Sequence, residues 1–409
     1  MKEIEISGGR ILSGVIEPSG SKNAALPIIF STIAAKGTSY IYNVPDIGDI
    51  RVALEIIESF GAQVKRVGDS LEINTENLEY RPAPRDLTSK IRASSYLIGA
   101  SLARFGKFEL SEFGGCNFCN RPIDMHLYVA TSLGASLEGD ELKAEKLRAA
   151  RIVFNKKSVG ATINALIMSL FAEGETELVG VAKEPHVKSL VEFLISAGAH
   201  ITEQADKFIV RRSELHGGTS RVIPDMIEAG TYLLLGSLSG GKVTVKGAAE
   251  LELDSFLYTL SEAGINVMSS GSDLTLSGEP EREIKVITAP HPGYPTDLQP
   301  VIAPLMARFF GGAITENVWQ NRFSYLTELK KFGVISRIEN GVAYIHQSVM
   351  KSAEGYAPDL RGGVALLMCA LAAEGESKIE NADVILRGYS LLERKLVSLG
   401  AKINIINAD

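Results

Sequence analysis

The sequence predicts a two-domain α/β protein built from six copies of one strand–helix–strand–helix–strand–strand unit, three copies per domain. Three observations carry this. Two interleaved series of glycines run through the chain: Gly61, Gly134, Gly198, Gly264, Gly333 and Gly400, and Gly37, Gly106, Gly174, Gly240, Gly311 and Gly375. Each closes a helical pattern and precedes a short strand-like stretch, as at 62–66, 107–111 and 175–179. In each unit the helix before the second-series glycine is apolar, nearly all round at 24–35 and 364–373, and so belongs inside a layer of amphipathic helices and sheets. Finally, 409 residues exceed what one core organises, and six units divide naturally into two groups of three.

The elements follow in order. A glycine just past a helix supplies the positive φ that ends it, so the spacing of 64 to 73 residues in the first series is the length of one unit. The strand pair within 4–16 has no helix before it and is read as completing the last unit, which ends near Asp409. The chain then begins and ends in the same domain, residues 1–20 with 225–409, and residues 21–224 form an inserted domain. Crossings are expected near Ser19–Ser21 and Ile223–Asp225, with a cleft between the domains that closes on its ligand.

Composition narrows the function. A net charge of -7 gives no basic surplus to displace counterions from nucleic acid, although a few converging arginines still make a local anion pocket. No apolar run is long enough to span a bilayer, so no membrane partner is expected. The start, Met1-Lys2-Glu3-Ile4-Glu5, lacks the apolar stretch of a signal peptide, and a cytoplasmic protein is expected. Cys116, Cys119 and Cys369 form no disulfide framework. Phosphate-loop, dinucleotide, zinc-protease and nucleophile-elbow motifs are absent.

Four segments carry chemistry. Gly20-Ser21-Lys22-Asn23 stands at a crossing and a helix start, where backbone N–H groups and Lys22 make an anion site, or an ordinary cap with a solvated lysine. The loop from Gly114 to His126 holds Cys116, whose pKa Arg121 can lower. A Cys116–Cys119 disulfide that switches activity off is one reading of that pair, and small apolar packing is the other. Asp297, in Tyr294-Pro295-Thr296-Asp297, opens an apolar helix as either a functional carboxylate or an N-cap. The fourth set is Arg92, Arg322, Arg361 and Arg387 at unit junctions; Arg92 and Arg361 open apolar helices, where the dipole opposes a cation and an anionic ligand would explain it.

Together these segments resemble the UDP-N-acetylglucosamine 1-carboxyvinyltransferase family. The marks are Ser21-Lys22-Asn23-Ala24-Ala25-Leu26-Pro27, Gly114-Gly115-Cys116 with Arg121-Pro122-Ile123-Asp124, and Pro295-Thr296-Asp297, supported by Asn321-Arg322-Phe323, Asp359-Leu360-Arg361 and Arg387-Gly388-Tyr389. The sister family acting on shikimate 3-phosphate carries Ser-Lys-Ser at the first lysine and lacks the loop cysteine.

The resemblance implies an inverse α/β barrel of two pseudo-threefold domains. It implies transfer of the enolpyruvyl group of phosphoenolpyruvate to the 3′-hydroxyl of UDP-N-acetylglucosamine, through a tetrahedral ketal that loses phosphate, with no cofactor and no metal. It gives Lys22, Arg121, Arg361 and Arg387 to phosphoenolpyruvate, Cys116 to proton donation and a covalent adduct, and Asp297 to proton removal, with Lys22 among the catalytic groups. Asn23, Arg92, Asp297, Val318, the run Arg121, Pro122, Ile123, Asp124 and Met125, and the run Lys157, Ser158, Val159 and Gly160 fall to the UDP-sugar, with Arg322 near the substrates. It also implies a role in peptidoglycan precursor synthesis and alkylation of Cys116 by the epoxide fosfomycin.

The chain departs from the family pattern at Phe118 and Cys119, in place of isoleucine and glycine, at Trp319 in place of phenylalanine, at Gln320 in place of glutamate, and at Met226 in place of arginine. These lie on the acceptor side. The alternatives they raise are a paralogue using another uridine nucleotide and a non-catalytic UDP-sugar-binding protein.

Overall fold

A computed structural model describes residues 1–114, 122–320 and 322–407. These form two compact units. One contains Met1–Ser19 and Pro224 onward; the other contains residues 20–114 and 122–223.

Each unit has three small sheets packed around three apolar helices. In the first unit the inner helices are Met226–Ser239, Gln299–Arg308 and Leu360–Ala372; in the second they are Lys22–Ser31, Leu97–Phe105 and Val159–Ser169. Their starts follow from local sequence. Asp225 accepts the N–H groups of Ile227 and Glu228, Asp359 those of Arg361 and Gly362, and Ser158 that of Ala161. These caps satisfy donors that a helix start leaves open. All twelve glycines of the two series have positive φ, between 70° and 109°. They end helices where a side chain would be strained.

Five of the six sheets share one plan: an opening strand parallel to the strand after the inner helix, then an antiparallel hairpin. The remaining sheet has three strands, Lys107–Glu109, Ser136–Glu138 and Glu141–Lys143, and lacks the opening strand that six identical units require. The segment in that place is Arg81-Pro82-Ala83-Pro84, whose prolines remove two N–H donors from any ladder.

The N-terminal strand pair also divides differently from the expectation. Lys2–Gly8 does complete the last sheet, between Gly375–Glu380 and Lys402–Asn407. Gly14–Ile16 instead pairs in parallel with Val243–Val245. Reciprocally, Thr219–Arg221 pairs with Thr38–Tyr42. Each of these opening strands thus serves the helix entered at the other crossing. Within the first unit the Asp225 N–H donates to the Ser19 carbonyl at 2.8 Å, and within the second the Ser21 N–H donates to the Ile223 carbonyl at 2.7 Å.

Candidate active site

In the first unit, the strands Ile284–Ile287 and Gly312–Thr315 run parallel and side by side. The segments leaving their carboxyl ends carry predicted site residues, at the usual place for function in parallel α/β structure. One segment leads to Asp297 and the other to Val318 and Arg322.

Asp297 was expected either to cap its helix or to act. It does not cap: the 3-10 turn Thr296–Leu298 precedes the helix Gln299–Arg308, whose N-cap is Leu298. Its Oδ1 lies 2.9 Å from Arg322 Nη1, and its Oδ2 accepts from Arg361 Nε and Nη2 at 3.1 and 3.0 Å. Burial alone would raise the Asp297 pKa, but the adjacent Arg361 and Arg322 charges outweigh it and hold the carboxyl well below the usual carboxylate range. Burial opposes the charge on Arg361, yet Asp297 holds its pKa above the ordinary arginine value.

The Arg361 side chain is 4% exposed and begins in the first turn of the helix Leu360–Ala372. Its guanidinium lies over the Tyr389 ring, 5.5 Å from the centroid. The Thr231 hydroxyl donates to the Ile227 carbonyl, so the 2.8 Å contact leaves the Tyr389 hydroxyl as donor to Thr231. Burial pushes the Tyr389 pKa up to about 12, against the lowering effect of Arg361. Arg361 Nη1 is buried without an acceptor among the described residues. Arg387 is half-buried and follows the short helix Asp383–Leu386.

In the second unit Lys22 opens its helix and meets Asp49 at 3.0 Å, so it is not the solvated lysine of the simpler reading. Asn23 follows it, half-buried. The 3-10 turn Arg92–Tyr96 packs against this helix, and Arg92 Nη2 donates to the Pro122 carbonyl at 3.4 Å.

Two predicted acceptor segments converge here. Asp124 and Met125 open the helix Asp124–Ser132; Ser158, Val159 and Gly160 open the helix Val159–Ser169, and the two helices pack together. Asn164 joins them: its Nδ2 lies 2.7 Å from His126 Nδ1 and donates to the Ser95 carbonyl at 3.0 Å, while its Oδ1 accepts from the Gly99 N–H at 2.6 Å. A β-carbon on Gly160 would come within 2.8 Å of the His126 ring, so glycine permits this approach. Burial, with the nearby Arg92 charge, lowers the His126 pKa to about 4, only partly offset by Asp124. The imidazole is neutral at pH 7, with Nδ1 as acceptor. Two adjacent helix N-termini favour an anion such as a diphosphate. Pro122 and Lys157 are exposed beside them, and Ile123 is half-buried.

Asp49, His126, Asn164 and Glu316 were not anticipated. Asn164, a lone amide in an apolar helix, was the most visible signal of these. Cys116 and Arg121, the departures Phe118 and Cys119 and the Cys116–Cys119 disulfide lie outside the described residues. Cys369 is a buried thiol whose pKa burial pushes up. Among the described residues no group of three or more His, Cys, Asp or Glu side chains is placed to hold a metal ion. No helix among them is long and apolar enough to cross a membrane.

The family described as EPSP synthase (3-phosphoshikimate 1-carboxyvinyltransferase) matches residues 6–396. In structure the chain is similar to the enolpyruvyl transferase NikO from Streptomyces tendae, with TM-score 0.88, 26% identity, and 100% of this chain and 99% of that chain covered. EPSP synthase from Acinetobacter baumannii has TM-score 0.73 at 16% identity, covering 100% of both chains, a likeness of fold alone. These define a carboxyvinyltransferase scaffold.

Among curated relatives, UDP-N-acetylglucosamine 1-carboxyvinyltransferase 3 of Caldanaerobacter subterraneus subsp. tengcongensis is 40% identical over 98% of this chain and 99% of its own length. UDP-N-acetylglucosamine 1-carboxyvinyltransferase of Halothermothrix orenii is 38% identical with the same coverage. The chain belongs to the UDP-N-acetylglucosamine 1-carboxyvinyltransferase family.

Proposed function

We propose that the chain transfers the enolpyruvyl group of phosphoenolpyruvate to the 3′-hydroxyl of UDP-N-acetylglucosamine, releasing phosphate, in the cytoplasm and as a step of peptidoglycan precursor synthesis. The observation that carries this reading is the Asp297 carboxylate held between Arg322 and Arg361, in a chain 40% identical to a relative of that name over nearly its whole length.

Phosphoenolpyruvate brings a carboxylate and a phosphate, and Lys22, Arg121, Arg361 and Arg387 are assigned to them. Arg361 supports this with a buried donor, Nη1, that has no acceptor among the described residues. Cys116 is assigned the proton delivered to C3. Asp297 takes the proton of the acceptor hydroxyl as its oxygen bonds to C2, giving the tetrahedral ketal. Asp297 gives that proton to the departing phosphate and takes one from C3 as the C2–O bond to the phosphate breaks, which restores the double bond and releases inorganic phosphate; the proton left on Asp297 returns to the Cys116 thiolate. Held by two guanidinium groups, Asp297 is a weak base. An anion that takes up Arg361 donors loosens that hold and raises its basicity, so base strength appears once substrate is bound.

The test is to incubate the reduced protein with both substrates while measuring phosphate release and product mass. An enolpyruvyl-bearing nucleotide sugar formed in step with phosphate is expected. A substrate mixture left unchanged overturns UDP-N-acetylglucosamine as the acceptor.

A further inference from the structure

The geometry points to Glu316 as a positioning residue for this transfer: it fastens together the two segments that carry Asp297 and Arg322. The inference rests on the transferase reading. Glu316 directly follows the strand Gly312–Thr315, and Thr288 directly follows the parallel strand Ile284–Ile287. Glu316 is 9% exposed and accepts four hydrogen bonds, all from uncharged groups. Oε1 receives the Thr288 hydroxyl at 2.8 Å and the N–H groups of Val318 and Trp319 at 2.8 and 3.0 Å. Oε2 receives the Thr296 hydroxyl at 2.9 Å.

Thr296 continues the chain of contacts. Its single proton goes to Glu316, so it meets Arg322 Nη1, at 2.9 Å, only as an acceptor. That same nitrogen lies 2.9 Å from Asp297 Oδ1. Glu316 thereby fixes the direction of the Thr296 hydroxyl, the hydroxyl fixes the Arg322 guanidinium, and the guanidinium fixes the carboxylate. The other oxygen shapes the backbone at Val318. Burying a carboxylate costs free energy, and these four hydrogen bonds offset it while imposing the arrangement.

The two oxygens therefore have separable roles, and the experiment uses both. Trp319 is the single tryptophan, so its fluorescence reports on the segment held by Oε1 without any need for turnover. Glu316→Gln turns an amide towards donors that need acceptors. It is expected to raise acrylamide quenching of Trp319 about twofold, lower kcat about 10- to 100-fold and raise KM for UDP-N-acetylglucosamine. Thr296→Val breaks only the Oε2 branch. It is expected to lower kcat by about the same factor with Trp319 quenching and KM for UDP-N-acetylglucosamine as in the parent, and Thr296→Ser is expected to restore kcat.

The role is overturned if folded Glu316→Gln keeps parental quenching, or if Thr296→Val keeps parental kcat. Should Glu316→Gln not fold, the Thr296→Val and Thr296→Ser pair decides. A parent protein without turnover overturns UDP-N-acetylglucosamine as the acceptor, and Trp319 quenching in Glu316→Gln still decides whether Oε1 holds the segment of Val318 and Trp319.

Discussion

Arg361 grips Asp297 with one edge: Nε and Nη2 converge on Oδ2 at 3.1 and 3.0 Å, while Nη1 stays buried without an acceptor among the described residues. The guanidinium is thus fully charged and only partly used. Its Cζ lies over the Tyr389 ring, and its helix start disfavours a cation unless negative charge is near. Asp297 supplies part of that charge, and in the proposed reaction an incoming anion supplies the rest.

Removing the carboxylate should separate binding from turnover. Asp297→Ala is expected to lower kcat about 10²- to 10⁴-fold, the usual weight of a general base. Calorimetry with UDP-N-acetylglucosamine should still detect binding. Full turnover by the variant would end the proton-removal role.

The loop thiol is tested chemically. Cys116→Asp retains an acid able to donate a proton and removes the sulfur that an epoxide alkylates. The variant is expected to turn over and to resist fosfomycin, read as residual phosphate release after preincubation. Equal inhibition of parent and variant would place the alkylated residue elsewhere.

His126 should make the protein acid-sensitive. Its folded pKa of about 4 lies below the ordinary histidine value of 6.5, so the unfolded chain binds the proton first as pH falls. Its contribution is fully present above pH 6.5 and is lost towards pH 4. Between pH 7 and pH 5 this amounts to about 2 kcal/mol. Denaturant unfolding should show that loss in the parent and much less in His126→Gln. Parallel losses in the two proteins would remove the histidine as the cause.

The buried pair Lys395–Glu228, at 2.6 Å, secures Ser19: Lys395 donates to its hydroxyl, and its N–H donates to Glu228. Lys395→Met leaves Glu228 buried without its cation and is expected to cost about 3–5 kcal/mol. Adding Glu228→Gln should recover most of it, since an amide oxygen still accepts from Ser19. Denaturant midpoints of the single and double variants check this.

The repeat was legible because it is local. A glycine past a helix announces a backbone conformation, and all twelve adopt it. The missing opening strand was legible too, in Pro82 and Pro84, but the regularity of the glycines hid it. The candidate site residues were visible as residue types: Asp297 and Arg361 stood out as charges at helix starts, and Arg322 as an arginine at a unit junction. Their mutual contact was not visible, because it joins positions 25 to 64 residues apart. The same holds for Lys22 with Asp49 and for His126 with Asn164, which only tertiary packing pairs. Glu316 escaped notice because a glutamate after a strand reads as surface, and its burial depends on Thr288 and Thr296 arriving from elsewhere.

The hydrogen bond between Ser21 and Ile223 has a consequence for how such a gene can be rearranged. A stretch of about two hundred codons enters and leaves at one spot, so its two ends can be ligated to each other or opened elsewhere with little change to the path of the chain between. The same spot accepts or releases a whole module by two cuts.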